Sequence, residues 1–190
     1  VTAGTKRQSM AHMTGVVYLA YFAASILGLV LVSHELPGGL TVNCLSDVLY
    51  VVTAFMLYRL LRVASQVTAL VALACCLIGC TMDLLRQIHH GWERIDPLLF
   101  FGPYCILLGV LLLRADFLPQ WIGWPLIAAG VGWLAYLMPA VALHGKVVIF
   151  PLGFVAEFEL MLWLLAKGVA EGRWAEAEVR RNSATGPAHT

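Results

Sequence analysis

Residues 14–33 read "TGVVYLAYFAASILGLVLVS", twenty positions without a charged side chain. A helix rises about 1.5 Å per residue, so this run reaches roughly 30 Å, the thickness of the hydrocarbon core of a bilayer. In water such a helix would have to bury its whole circumference. The rest of the chain has no polar shell to do this. Of its 190 residues, 61% are hydrophobic and 12% charged, and mean hydropathy is +0.83. Soluble domains carry about twice that share of charge. The chain reads as an integral membrane protein, with the lipid bilayer as its surroundings.

Working outward, five further apolar runs are long enough to span, at about 40–58, 63–85, 97–113, 118–143 and 147–168. The expected fold is all-α, a polytopic bundle of six transmembrane helices occupying 14–170. A polar segment at 1–13 precedes it. A polar tail at 171–190 follows, expected to prolong the last helix by a turn or two and then fray. The links "HELPGG", "RLLR", "RQIHHGWERID", "RADF" and "HGK" are short, which favours antiparallel neighbours. The first run lacks a convincing cleavage site and reads as a retained helix, not a signal peptide. On this layout nine basic residues fall on one side: Lys6, Arg7, Arg59, Arg62, Arg114, Lys167, Arg173, Arg180 and Arg181. Only Arg86, Arg94 and Lys146 fall on the other. The positive-inside rule then places both termini in the cytoplasm.

Several function classes are disfavoured. A net charge of +1 gives no electrostatic basis for binding nucleic acid. No phosphate-binding loop, dinucleotide fingerprint or zinc-protease helix is present. Cys44, Cys75, Cys76, Cys80 and Cys105 all lie in apolar runs, where cysteine packs as a small soft hydrophobe, rather than in the polar loops of a disulfide scaffold. Stripes of small residues, Ala20-Ala24-Gly28, Ala72-Cys76-Cys80 and Ala128-Gly132, suit close helix packing in lipid.

The informative residues are the ionisable ones inside the apolar runs. In "VAEFELMLWLL", residues 155–165, Glu157 falls near mid-bilayer and Glu159 two positions on, about 200° further round the helix. They cannot share a face, so they are not a catalytic carboxylate pair. No Lys or Arg lies at the depth of Glu157, so its expected role is a neutral acid hydrogen-bonded between helices, or a ligand, ion or proton site. Asp47 lies inside the second run. Asp83 sits near the end of the third, where an ion pair with Arg86 at i+3 is expected and an Asp47–Arg86 pair across helices is the alternative. Cys76, Cys80 and Asp83 share a face, a weak metal pattern. His34, His89, His90 and His144, in three predicted loops, could ring an outer mouth with Glu35, Glu93 and Asp96, as metal or haem ligands do; His34, His89 and His144 are the weak metal candidates. No cofactor is assigned.

Several segments are similar to a bacterial membrane family known as domain of unknown function 4386. "FFGPYCILLGVLLLRADFLPQWIGWPLIAAG" carries its pattern at Phe101-Gly102, Gly109, Arg114, Phe117-Leu118-Pro119, Ile122-Gly123 and Gly130. "AEFELMLWLLAKGV" resembles its closing helix, with Glu157 at the family glutamate, Leu162-Trp163-Leu164-Leu165 at its apolar run and Gly168 at its glycine. "MTGVVYLAYFAA" and "SDVLYVVTAFMLYRLLR" look like its first two helices. The resemblance implies a six-helix fold in a bacterial inner membrane and a role for Glu157. It implies no reaction. Glu159 stands where that pattern is small or apolar.

Three functions fit. The favoured expectation is a non-catalytic accessory or scaffold subunit of a larger membrane complex, with Glu159 at the partner contact. The second is a small transporter or a binder of lipid or small molecules using Asp47 and Glu157, which requires a cavity touching both residues. The third is a metal- or haem-dependent membrane enzyme using the outer histidines.

Overall fold

The computed structural model describes residues 3–88 and 95–185, and helices account for all the regular structure among them. In chain order these are α1 (Ala3–Ser33), α2 (Gly39–Leu61), α3 (Gln66–Ile88), α4 (Leu98–Arg114), α5 (Gly123–Tyr136), α6 (Pro139–Ala166) and α7 (Glu171–Thr185). Four are long and apolar enough to cross a bilayer, over Lys6–Ser33, Gly39–Leu61, Gln66–Ile88 and Val147–Ala166. α4 is apolar but has 17 residues, and α5 has 14. Their outer surfaces carry exposed Leu, Val, Ile and Phe side chains, as lipid-facing helices do.

The fifth and sixth helices divide at a different place from the one the apolar runs suggest. The run 118–143 is not one span. A 3₁₀ turn at Gln120–Ile122 leads into α5, which stops at Tyr136, and α6 starts at Pro139. The cause is local: the Pro139 ring crowds the residue before it out of the helical region, and Met138 is extended at φ −81°, ψ 124°. Pro139 itself opens α6, where its missing N–H leaves no bond unmade. His144 therefore lies within α6, not in a loop.

The described residues of the polar ends are helical too. Residues 3–13 run into the first span, because α1 begins at Ala3. The tail does not prolong α6. The chain turns through Gly168 at φ +68° and forms α7. Gln8 of α1 holds this turn, donating to the Lys167 carbonyl at 2.8 Å and accepting from the Val169 N–H at 3.1 Å. Trp174 of α7 is buried, its indole N–H donating to the Leu60 carbonyl at 3.1 Å. The Arg7 guanidinium lies 4.3 Å from that ring and pairs with Glu178 at 2.6 Å.

Each apolar helix packs on the next, and α6 returns to α1, closing a ring of six. The closest seam joins α4 and α5. A Cβ on Gly109 would lie 2.5 Å from the Gly123 carbonyl oxygen, and one on Gly130 equally near the Gly102 oxygen. Small-residue stripes are used unevenly. Ala72, Cys76 and Cys80 are buried, whereas Ala20 and Ala128 are exposed and α1 packs instead through Ala11, Thr14, Gly15, Tyr18 and Phe22.

Candidate ligand cavity

Glu157 faces the ring interior. Gly153, Leu160, Met161 and Leu164, at i−4, i+3, i+4 and i+7, share its side of α6 and are buried. Towards the chain termini, Leu57, Leu60, Leu108, Leu112, Leu126 and Leu164 fill the ring. Glu157 sits on top of this packed half, and its carboxyl is met from three other helices. Tyr18 of α1 donates its phenol proton to Oε2 at 2.8 Å. Tyr50 of α2 donates to Oε1, also at 2.8 Å. The Cys105 thiol of α4 lies 3.7 Å from Oε1.

Above this floor the interior is not filled. A cavity of about 530 Å³ reaches from Glu157 and Tyr50 to Val32, Asn43, Gln87 and Leu98 at the far helix ends. Asp47, Asp83 and Glu157 all line it. Rings from α1, α2, α4, α5 and α6 make much of the wall, including Tyr21, Phe22, Phe101, Trp133 and Phe154. Among the described residues no Lys, Arg or His lines it. Gly153 lets the Trp133 indole pack closely on α6, since a Cβ there would overlap it.

At the mouth, Gln87 joins the two aspartates. Its side-chain amide donates to Asp47 Oδ2 at 3.0 Å and to Asp83 Oδ2 at 3.3 Å. Neither expected arginine pairing forms. Arg86 pairs with Asp96 instead, at 3.7 Å. The reason is helical phase: Gln87, at i+4 from Asp83, is the residue turned towards α2, and Arg86 is left to reach the segment ahead of α4.

The structure thus brings Asp47, Asp83 and Glu157 to one cavity and leaves Arg86 outside its lining. Glu159 is half-buried, and its Oε2 is covered without a hydrogen-bond partner among the described residues. His34 and His144 are exposed on separate elements, while His89, His90 and Glu93 lie outside the described residues. Among the described residues no group of three or more His, Cys, Asp or Glu is placed to hold a metal. Cys76 and Cys80 approach to 3.9 Å but are both free thiols, and Asp83 turns to Gln87.

Sequence reasoning missed Tyr18, Tyr50, Cys105 and Gln87. A tyrosine in an apolar run reads as core or as interface belt. The available signal was depth: Glu157 and Tyr50 lie nine and eleven residues from the same end of α6 and α2, roughly 14 and 17 Å.

No curated protein and no solved structure matches the chain. Residues 79–168, from the second half of α3 to the glycine behind α6, match the model of the family described as Domain of unknown function (DUF4386), so the family resemblance read in the sequence holds over this segment.

Proposed function

We propose that this protein binds a small molecule within the bilayer and serves as its receptor or carrier. One observation carries the reading: a single cavity touches both Asp47 and Glu157, which the small-molecule reading requires and a scaffold does not. Its volume lies within the range of about 300–1,000 Å³ usual for ligand sites. The proposal includes six membrane crossings in a bacterial inner membrane with both termini cytoplasmic. The bias of nine basic residues against three and the antiparallel ring support that arrangement.

The test is purification in native-membrane nanodiscs, followed by mass spectrometry of extracted small molecules. The comparison is Ser25→Trp, which puts an indole into the cavity. Wild type should retain a compound at a fixed ratio to protein, and the variant should lose it. Identical extracts containing only bulk lipid would overturn the reading.

A second reading, membership of a larger membrane complex, is favoured by Glu159. A covered carboxyl oxygen without a partner is a group that a hydroxyl or cation of another subunit would complete after a rotamer change. Glu159→Leu should then reduce the recovery of co-purifying subunits, and unchanged recovery would remove the argument.

A further inference from the structure

We propose that the occupant of the cavity is a lipophilic organic monocation: a quaternary or protonated nitrogen, or an equivalent onium centre, on an aromatic or branched apolar body. This rests on the reading that the cavity holds a ligand. It adds which charge that ligand carries.

Among the described residues, three carboxyl groups line the cavity and no basic side chain does. The other polar liners are Ser25, Asn43, Ser46, Gln87 and the phenols of Tyr21 and Tyr50. An anion would meet acid groups at the mouth and the floor and, among the described residues, no cation at either. A zwitterionic lipid headgroup would bring a phosphate for which the described lining has no counter-charge. A neutral molecule would add nothing at the three acids beyond the phenol and amide hydrogen bonds they already accept. A monocation is the occupant that each of these groups favours.

The walls point the same way. The face of an aromatic ring attracts a cation, most strongly where water is excluded. Tyr21 and Tyr50 lie 4.5 Å apart by ring centroid, and Phe101 is 5.8 Å from Tyr50. All three rings line the cavity that the Asp47–Gln87–Asp83 group and Glu157 share, and the Tyr50 phenol reaches Glu157 itself. A cation held by either acid group would have these rings for neighbours, while its apolar body packed on Phe22, Trp133 and Phe154.

The test uses the intact chain in nanodiscs and three probes, with empty nanodiscs subtracted. Tetraphenylphosphonium and tetraphenylborate have the same four-phenyl shape and opposite charge, and dodecylphosphocholine is zwitterionic. Radiolabelled tetraphenylphosphonium should bind saturably and resist competition by the other two. Glu157→Gln should weaken binding by about ten-fold or more, the scale expected for losing one partner of an enclosed charge pair. Because Glu157 also holds three helices together, Asp47→Asn, at the mouth, provides a second variant with the same expected direction. If the borate or phosphocholine probe binds as well as the phosphonium, or if both variants bind it as wild type does, the cationic preference is overturned and the cavity reading stands. If no probe binds and native nanodiscs yield no retained molecule, the cavity reading itself falls.

Discussion

Glu157 is an expensive residue to bury. An ionisable group at the centre of a spanning helix costs about 2.5–3.5 kcal/mol on insertion scales. Two phenol hydrogen bonds, each worth about 0.5–1.5 kcal/mol net, offset much of this. Their removal should be measurable. Tyr50→Phe would leave Oε1 with only the distant thiol and should destabilise the protein by about 1–3 kcal/mol. Combined with Glu157→Leu in a double-mutant cycle, it should show a coupling of about 0.6–1.7 kcal/mol, from the average to the largest value for hydrogen bonds between membrane helices. Unfolding in mixed micelles measures both, and additive effects would show that the bond is not stabilising. Gln87→Leu is a second case: it leaves two carboxyl groups at the mouth without their shared donor and should lower stability, whereas Gln87→Asn should recover little because the shorter amide cannot bridge both. Of these residues the three acids, Asp47, Asp83 and Glu157, could be singled out in the sequence, since an acid in an apolar run is conspicuous. Their partners could not. Tyrosine and glutamine are ordinary there, and nothing local says which helices are neighbours.

At the scale of helices, the α4–α5 seam gives the family-patterned glycines a physical role. Gly102 and Gly109 on one helix meet Gly130 and Gly123 on the other, backbone against backbone. In lipid, where the hydrophobic effect does not draw helices together, such approach supplies the packing energy. Gly109→Ala should destabilise the protein by roughly 1–3 kcal/mol, because its methyl meets a carbonyl oxygen that cannot swing aside. Gly172→Ala in α7 is the contrast. A Cβ there meets nothing within 4 Å, so thermal unfolding should show no loss, or a gain of about 0.4–1 kcal/mol. Equal losses at the two positions would argue against the seam. The α5–α6 boundary shows why helix limits were harder to read than helix existence. Apolar character continues across Leu137, Met138 and Pro139, so hydropathy sees no break there. The break comes from the proline ring acting on Met138, and its dihedral signature is steric rather than hydrophobic.

For the whole molecule, the ring is packed solid at the end holding the termini and hollow at the other. This asymmetry carries a topological prediction. With Cys44 and Cys75 replaced by alanine, His34→Cys should react with a membrane-impermeant maleimide on intact cells, and Ser183→Cys should react only after lysis. The remaining cysteines are buried and should stay silent. The reverse pattern would invert the proposed orientation and turn the cavity mouth to the cytoplasm. The family match starts at residue 79, so it takes in Asp83, Gln87, Cys105 and Glu157 but not Tyr18, Tyr50 or Asp47. The site is thus completed by α1 and α2, from outside the matched segment.

That this chain belongs in a membrane, that it is helical, and that its buried acids need an explanation are all legible in the residues alone. Each of these follows from properties summed along short stretches: run length, mean hydropathy, and a charge among apolar neighbours. That the helices close into a ring, that the interior is left unfilled at one end, and that Tyr18, Tyr50 and Gln87 meet the acids emerges from the packed fold. These depend on rotational phase and on which helix faces which. Residues far apart in the chain set that by packing, and no local pattern encodes it.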